Sequence, residues 1–399
     1  MDEFEKFIAW DSIKYMETYF KSNHFRKTIQ TNYEHLSNFQ TLCPSYCLSK
    51  ASYLLFRNNK RLKNVIISSS KYPNLVDKFS QKYNWSIIDH PFFSVKKKIP
   101  SIYTINAAKC ISNYYRNGDI QYLYSGIEIC KKTLDTIKPD CVIFPQDSFP
   151  LERMIICACR EMGVPTINIQ DGIYQLTAPP LHGKATDYIF VWGNLFKEYY
   201  VDNNVQNADN IFVIGYPYEL NEQSIAPSDS DRKKVYYLGQ NFEKFNPDLL
   251  NYKLETLNAL NNALKKLDVQ FIYRPHPRDD IKSFKNFDDN LIISPKSESL
   301  MDTLNEGDIF ISFNSTSLVE ASMLCKPTIQ LLNYPDLQSD NFEKLGVCSK
   351  TVDSINEVEN YVKHLSNSPI NKLNFNQDYI AYEMNTWKNI SEYLAQILN

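Results

Sequence analysis

Tyr-Arg-Pro-His-Pro-Arg-Asp at 273–279 and Ser-Phe-Asn-Ser-Thr-Ser-Leu-Val-Glu-Ala at 312–321 each continue a short apolar run that is typical of a buried β-strand. The first stretch places a histidine in a rigid turn between two prolines. The second starts a helix with hydroxyl side chains. Because the carboxyl ends of parallel strands share one edge of a sheet, the histidine and the helix N-terminus should lie close together. This combination predicts a site for a phosphate or diphosphate group.

Apolar runs and helical patterns alternate on both sides of these stretches. The predicted strands are 65–69, 85–88, 141–145, 166–170, 188–192 and 211–214, and then 235–238, 269–273, 291–293, 308–311 and 328–331. Residues 1–60 and most of 101–137 are predicted to be helical. Alternation of this kind indicates an α/β fold with doubly wound parallel sheets.

A polar segment between Pro217 and Arg232 separates two such regions, and its loss of periodicity predicts a linker. A length of 399 residues also suits two domains. Two Rossmann-like domains with a cleft between them and a closing C-terminal helix resemble the GT-B architecture of many glycosyltransferases. We therefore predict an acceptor-side domain with a helical N-terminal extension at 1–217, a linker at 218–232, a nucleotide-sugar-binding domain at 233–377 and a closing helix at 378–399.

Composition narrows the functional class. The net charge of -3 argues against a nucleic-acid binder. The nine cysteines show no zinc-like spacing, and no run approaches the roughly 20 apolar residues that cross a bilayer. We expect a cytoplasmic protein, and basic clusters at Arg57–Lys63 and Lys96–Lys98 leave peripheral contact with the inner membrane open.

His276 is the strongest single candidate for chemistry. Its ring can donate to a phosphate oxygen and stabilise charge on a departing nucleotide, with Pro277 helping to aim it. The alternative is a turn histidine that caps a helix near Asp279. Arg274 and Arg278 can pair with a phosphate or a sugar carboxylate, or equally form surface ion pairs with the acids that follow them.

The hydroxyl residues Ser315, Thr316 and Ser317 begin the second helix. A helix N-terminus is an anion site, although such residues also cap ordinary helices. Glu320, one turn into the helix, can accept from ribose hydroxyl groups or simply complement the helix dipole.

Two further strand ends carry candidates. Gly239 allows close approach of a nucleotide, and Gln240 can contact a base or phosphate. In the N-terminal half, Asp171 follows a strand and can take a proton from an acceptor hydroxyl, unless it only forms an Asp-Gly turn. Asp147 is the competing acid.

These motifs resemble a known group of enzymes. Leu-Gly-Gln at 238–240, Arg-Pro-His-Pro-Arg-Asp at 274–279, the helix start at 315–317 and Asp-Gly-Ile-Tyr at 171–174 are similar to motifs of bacterial GT-B sialyltransferases of lipooligosaccharide and capsule synthesis. The resemblance covers mainly 140–330. Capsule Kdo transferases and wall-teichoic glycerophosphotransferases share part of the pattern.

The sialyltransferase resemblance implies a role for each matched residue. Asp171 would be the base, His276 would contact the CMP phosphate, and Ser315 with Thr316 would complete the phosphate site. Enzymes of this family invert the configuration at the anomeric carbon, and they use neither a metal nor a cofactor beyond the sugar donor. Where the family usually has a second acid, this chain has Gln170.

The predicted function is the transfer of sialic acid or a related ulosonic acid from a CMP donor to a hydroxyl of a surface oligosaccharide or glycolipid, that is, of lipopolysaccharide or capsule. A UDP-sugar or CDP-glycerol donor on the same fold is the first alternative. A UDP-sugar 2-epimerase also has two such domains, but its acidic catalytic cluster is not recognisable. A non-catalytic glycan- or nucleotide-binding protein is the third reading. The sequence does not indicate the oligomeric state.

Overall fold

The computed structural model describes residues 2–42, 62–67, 73–79, 81–87, 102–220, 232–280, 284, 291–334, 337–367 and 373–399. Most of the predicted linker and most of both basic clusters lie outside these residues. In the described part of the chain, no helix is long and apolar enough to cross a membrane.

Two parallel sheets, each of six strands, form the framework. The first sheet contains β1 (Lys63–Ile67), β2 (Tyr83–Ile87), β3 (Cys141–Phe144), β4 (Thr166–Ile169), β5 (Tyr188–Val191) and β6 (Ile211–Val213). The second contains β7 (Lys233–Leu238), β8 (Val269–Arg274), β9 (Ile292–Ile293), β10 (Ile309–Ser312), β11 (Thr328–Leu331) and β12 (Lys350–Val352). Helices pack on both faces, and the predicted GT-B fold of two Rossmann-like domains is confirmed.

Helices connect the strands and extend the chain at both ends. Before β1 lie Glu3–Glu5, a π-helical turn at Lys6–Trp10, Asp11–Phe20 and His24–Leu42. The first sheet carries Pro73–Phe79, Ile102–Asn117, Gln121–Ile137, Pro150–Met162 and Asn194–Asp202. The second carries Leu249–Leu264, Leu300–Glu306, Thr316–Met323 and Ile355–Asn367, and Thr386–Leu398 ends the chain. Short 3-10 turns lie at Ala208–Asn210 and Phe242–Lys244.

Strand order determines where a ligand can bind. The second sheet runs β12-β11-β10-β7-β8-β9, so the order reverses between β10 and β7. Loops leave these two strands on opposite faces of the sheet and open a crevice at their carboxyl ends. Gly239 follows β7, and the helix Thr316–Met323 follows β10. The predicted residues of the C-terminal domain therefore flank the point where a ligand is expected.

The closing helix is shorter than predicted: it spans Thr386–Leu398 and does not begin at Asp378. The preceding segment uses its backbone to bind the N-terminal domain. The Leu195 N–H donates to the Asp378 carbonyl at 2.8 Å, and the Ala381 N–H donates to the Trp192 carbonyl at 2.9 Å. A continuous helix would consume these groups internally, so the chain crosses between domains before the helix starts.

Three elements of the structure have no counterpart among the predicted helices and strands. The helix Leu300–Glu306 is short and starts with a capping box in which Ser299 and Asp302 exchange hydrogen bonds. The helix Ile355–Asn367 and the strand β12 follow it. β12 has three residues and lies at the sheet edge, so it lacks the apolar run of a central strand.

Candidate ligand-binding site

A cavity of about 500 Å³ opens at the carboxyl ends of β7, β8 and β10. Its lining consists of Ile173, Leu238, Gly239, Gln240, Asn241, Phe242, Lys244, Phe245, Arg274, His276, Pro277, Arg278, Leu300, Asn314, Ser315, Thr316 and Ser317. All the donor-site residues predicted from sequence lie here except Glu320. The cavity joins three strand ends that are far apart in sequence, which is what the two quoted motifs predict.

Asp279, on the interior side of the turn that carries His276, holds this turn in place. One carboxylate oxygen of this buried acid accepts from the His276 N–H at 3.0 Å and from the Tyr273 hydroxyl at 2.7 Å. The other accepts from the Lys253 ammonium at 3.0 Å. Lys253 is also buried and pairs with Glu243 at 2.9 Å. The sequence pattern is also compatible with a surface ion pair between Asp279 and the arginines, but in the structure Asp279 is buried and supports the turn from inside the domain.

The ring of His276 has a defined tautomer. Its Nδ1 accepts a hydrogen bond from the Arg278 N–H at 3.1 Å. Burial lowers the pKa of His276 to about 4, against the opposing attraction of Asp279. The ring is therefore neutral at pH 7, and its proton sits on Nε2. A neutral Nε2–H is a hydrogen-bond donor suited to a phosphate oxygen.

The start of the helix Thr316–Met323 supplies the second binding element. Ser315 is the N-cap, and its hydroxyl accepts from the Ser317 N–H at 3.2 Å. Within the described residues, the N–H groups of Ser315 and Thr316 donate to no protein acceptor. These groups and the helix dipole favour an anion by roughly 0.3–1 kcal/mol. Capping and anion binding are thus compatible at this terminus.

Gly239 and Gln240 shape the loop between these elements. A Cβ on Gly239 would lie 2.6 Å from the Tyr273 hydroxyl oxygen and 3.0 Å from the Arg274 carbonyl oxygen, so no larger residue fits. The side-chain carbonyl of Gln240 accepts from the Asn314 N–H at 3.2 Å, and its amide donates to the Asn314 side chain. Gln240 therefore ties the end of β7 to the loop after β10.

The cavity is cationic. Lys244, Arg274 and Arg278 contribute positive charge, and none of the described residues that line the cavity carries a carboxylate. Burial, and then the nearby Arg278 guanidinium, lowers the pKa of Lys244. Arg274 donates to the Thr303 hydroxyl at 2.8 Å, and burial lowers its pKa as well. Crowded cations of this kind are stabilised when an anionic ligand binds between them.

The segment that follows Asp171 reaches the cavity from the other domain, although Asp171 itself is not among the lining residues. The next two residues reach Thr316: Gly172 lies close to the Thr316 hydroxyl, and the Ile173 N–H donates to it at 3.3 Å. Gln170, which stands where the resembling family has an acid, donates to the Gly172 carbonyl at 2.9 Å and accepts from the Trp192 N–H at 2.9 Å. An ionised acid could not donate that bond, so the glutamine suits a structural role in this loop.

Two predicted acids are not among the residues that line the cavity. Glu320 is half-buried: its carboxylate accepts from the Tyr216 hydroxyl and lies near Ser317 and Arg274 of the lining, and burial raises its pKa. Asp147 is fully buried and accepts from the N–H groups of Gly183 and Ala185, both at 2.8 Å. Asp147 therefore lacks the access that a base for an external hydroxyl needs. Glu320 joins the domains, and its ribose-binding role stays a prediction.

Sequence reasoning missed several contributors. Lys244 and Asn314 line the cavity, and Lys253 supports it from below. One signal was present: Lys253 stands at helical spacing with Leu257 and Leu260, so a charge falls on the buried face of its helix. Such a charge indicates a buried ionic partner. Among the described residues, no group of three or more His, Cys, Asp or Glu is arranged to hold a metal ion.

We expect Asp279→Ala to lower the free energy of unfolding by about 3–5 kcal/mol, because it leaves the ammonium of Lys253 buried with only Glu243 to neutralise it. Urea denaturation followed by circular dichroism measures this. Asp280→Ala is the matched control, since this exposed neighbour should change stability by no more than about 0.5 kcal/mol. Equal stability of the two variants would show that Asp279 is not the support of the turn.

Comparison with known proteins identifies the fold. No protein-family model and no curated protein matches the sequence. Staphylococcus aureus MnaA in complex with UDP is similar in structure, with a TM-score of 0.57 and 13% identity over 85% of this chain and 97% of that chain. The UDP-N-acetylglucosamine 2-epimerase of Rickettsia bellii gives a TM-score of 0.56 and 17% identity over 84% and 96% of the two chains.

The Neisseria meningitidis UDP-GlcNAc 2-epimerase bound to UDP-GlcNAc gives a TM-score of 0.56 and 13% identity over 83% of this chain and 99% of that chain. At these identities the likeness establishes the shared fold of two Rossmann-like domains, and nothing about the reaction follows from it directly.

Proposed function

We propose that this protein is a glycosyltransferase of the GT-B class that uses a UDP-linked sugar and transfers it to a hydroxyl of a surface oligosaccharide or glycolipid. The observation that carries the proposal is the cationic cavity between the His276 turn and the helix start at Ser315–Ser317. Two separate anion-binding elements suit the two phosphates of a nucleoside diphosphate. A nucleoside monophosphate donor such as a CMP-linked ulosonic acid would bring only one phosphate for both elements.

The choice of UDP also has support from fold relatives. MnaA is bound to UDP, and the Neisseria meningitidis epimerase is bound to UDP-GlcNAc. The second donor considered in the sequence analysis thus agrees better with these proteins than CMP does. The sialyltransferase-like motifs remain compatible with it, because they describe phosphate contacts and a base and not the nucleobase.

In the proposed reaction, Asp171 accepts the proton of the acceptor hydroxyl while the hydroxyl oxygen forms a bond to the anomeric carbon of the donor sugar. The bond from that carbon to the UDP oxygen breaks, and its electron pair leaves with UDP. The Nε2–H of His276 and the N–H groups of Ser315 and Thr316 donate to the phosphate oxygens, while the cavity cations balance the charge. Contact with the inner membrane would bring a glycolipid acceptor to the cleft.

The test is release of UDP from UDP-sugars, followed by NMR, with and without a hydroxyl-bearing glycan acceptor. A transferase releases UDP faster when the acceptor is present and forms a new glycosidic linkage. Appearance of the C2 epimer without acceptor would replace the proposal with an epimerase. Binding without any turnover would favour the non-catalytic reading, and turnover of a CMP-sugar alone would restore the ulosonic acid donor.

A further inference from the structure

The helix Asp11–Phe20 belongs to the N-terminal domain along most of its length. Ile13 is fully buried in the N-terminal core, and Asp11 pairs with the buried Arg153 at 3.3 Å. The end of the helix lies elsewhere. Phe20 is only 5% exposed and packs in an aromatic cluster of the C-terminal domain. One rigid element therefore contacts both domains.

Phe20 contacts the loop that follows β7, residues 242–246, which we call the wall loop. Its ring stacks on Phe245 with centroids 4.6 Å apart and planes 17° from parallel. It also lies 5.9 Å from the ring of Phe242. The Phe20 carbonyl accepts from the Asn246 side-chain amide at 3.1 Å. Three residues of one short loop are thus held by a single residue of the other domain.

The wall loop contributes Phe242, Lys244 and Phe245 to the cavity lining. Lys244 faces the Arg278 guanidinium, and repulsion between the two cations opposes this position of the loop. The Glu243–Lys253 ion pair, at 2.9 Å, holds the start of the loop within the C-terminal domain. Phe20 supplies the stacked apolar contact at the other end of the loop, on Phe245.

Tyr19, the residue before Phe20, also forms contacts between the two domains. The Tyr19 hydroxyl donates to the Gln338 carbonyl at 2.7 Å and accepts from the Gln175 side-chain amide at 2.6 Å. Burial raises the pKa of Tyr19 to about 12, so the hydroxyl keeps its proton at neutral pH. The end of the helix is consequently fixed relative to the C-terminal domain by polar and apolar contacts together.

We infer that Phe20 is a positioning residue of the nucleotide site: from the N-terminal domain, it holds the wall loop, and with it Lys244, against the cavity. The inference rests on the proposed function, since it concerns the donor's affinity. It assigns a role to the N-terminal extension, which neither the motifs nor the fold likeness does.

The experiment compares wild-type protein with Phe20→Ala, Phe20→Leu and Ile13→Ala. Ile13→Ala is the matched control, because it removes buried apolar surface from the same helix on the N-terminal side. Two quantities are measured on folded protein: amide hydrogen exchange of residues 242–246 without ligand, and the dissociation constant of UDP by calorimetry. Phe20→Leu keeps most of the buried volume and serves if Phe20→Ala does not fold.

We expect Phe20→Ala to speed exchange in the wall loop and weaken UDP binding by about 2- to 30-fold, the range for residues that couple two elements. Phe20→Leu should lie between it and the wild type, and Ile13→Ala should leave both quantities unchanged. If wild type binds UDP and the Phe20 variants bind it equally well, the inference is wrong while the proposed function stands. If wild type binds no UDP, the proposed function fails and the inference fails with it.

Discussion

Asp171→Asn should lower the turnover number of sugar transfer by about 100- to 10,000-fold, the usual contribution of a positioned general base. The amide keeps the shape of the side chain but cannot accept the acceptor's proton at neutral pH. The loop should stay in place, because Gln170 and Thr316 hold its backbone. The dissociation constant of UDP should consequently be unchanged.

Steady-state kinetics with a fixed UDP-sugar and varied acceptor provide the measurement. Asp202→Asn is the matched control: it removes one exposed carboxylate from the same domain, at the end of the helix Asn194–Asp202, and should transfer at the wild-type rate. Full activity of Asp171→Asn would mean that another group is the base. Asp147 would not be the first choice, given its buried carboxylate.

His276→Ala should reduce kcat/KM for the donor by about 100- to 1,000-fold, the loss typical when one donor to a developing anion is removed. Stability should change little, because the only hydrogen bond from the described residues to the ring is the Arg278 N–H. His276→Gln is the informative companion, since its amide can place an N–H near the position of Nε2 and restore part of the activity.

The pH dependence separates a neutral ring from a charged one. With its pKa lowered to about 4 by burial, His276 stays neutral from pH 8 down to about 5. Wild-type activity should therefore not fall as the pH passes 6.5. The pH profiles of the wild type and of His276→Gln should have the same shape in this range. A wild-type profile with an apparent pKa near 6.5 that the variant abolishes would show that the ring titrates at its ordinary value and that the assigned tautomer is wrong.

Local signals in the sequence were sufficient to place the predicted donor-site residues at strand ends, and their binding roles stay predictions. A histidine fixed between prolines, a run of hydroxyl residues before a helix, and a Gly after a strand each define geometry within a few positions. The parallel-sheet rule then brings such strand ends together without any knowledge of side-chain contacts. This is why His276, Ser315 and Gly239 could be expected to lie together, and all three line one cavity.

Long-range partners could not be read in the same way. Asp279 and Lys253 are 26 positions apart, and the partners Phe20 and Asn246 are 226 apart. A hydrogen bond between such residues leaves no periodic trace in the sequence. Glu320 shows the same difficulty, because its partner Tyr216 comes from the other domain. Position on a helix was predictable, but the side chain's partner was not.

The most direct test of the nucleotide-sugar site is calorimetric titration of UDP and of CMP into the wild-type protein and into His276→Ala. We expect wild type to bind UDP more tightly than CMP and the variant to lose most of its affinity for UDP. A wild type that binds neither nucleotide, or a variant that binds UDP as well as the wild type, would contradict the assignment of this cavity as the nucleotide-sugar site.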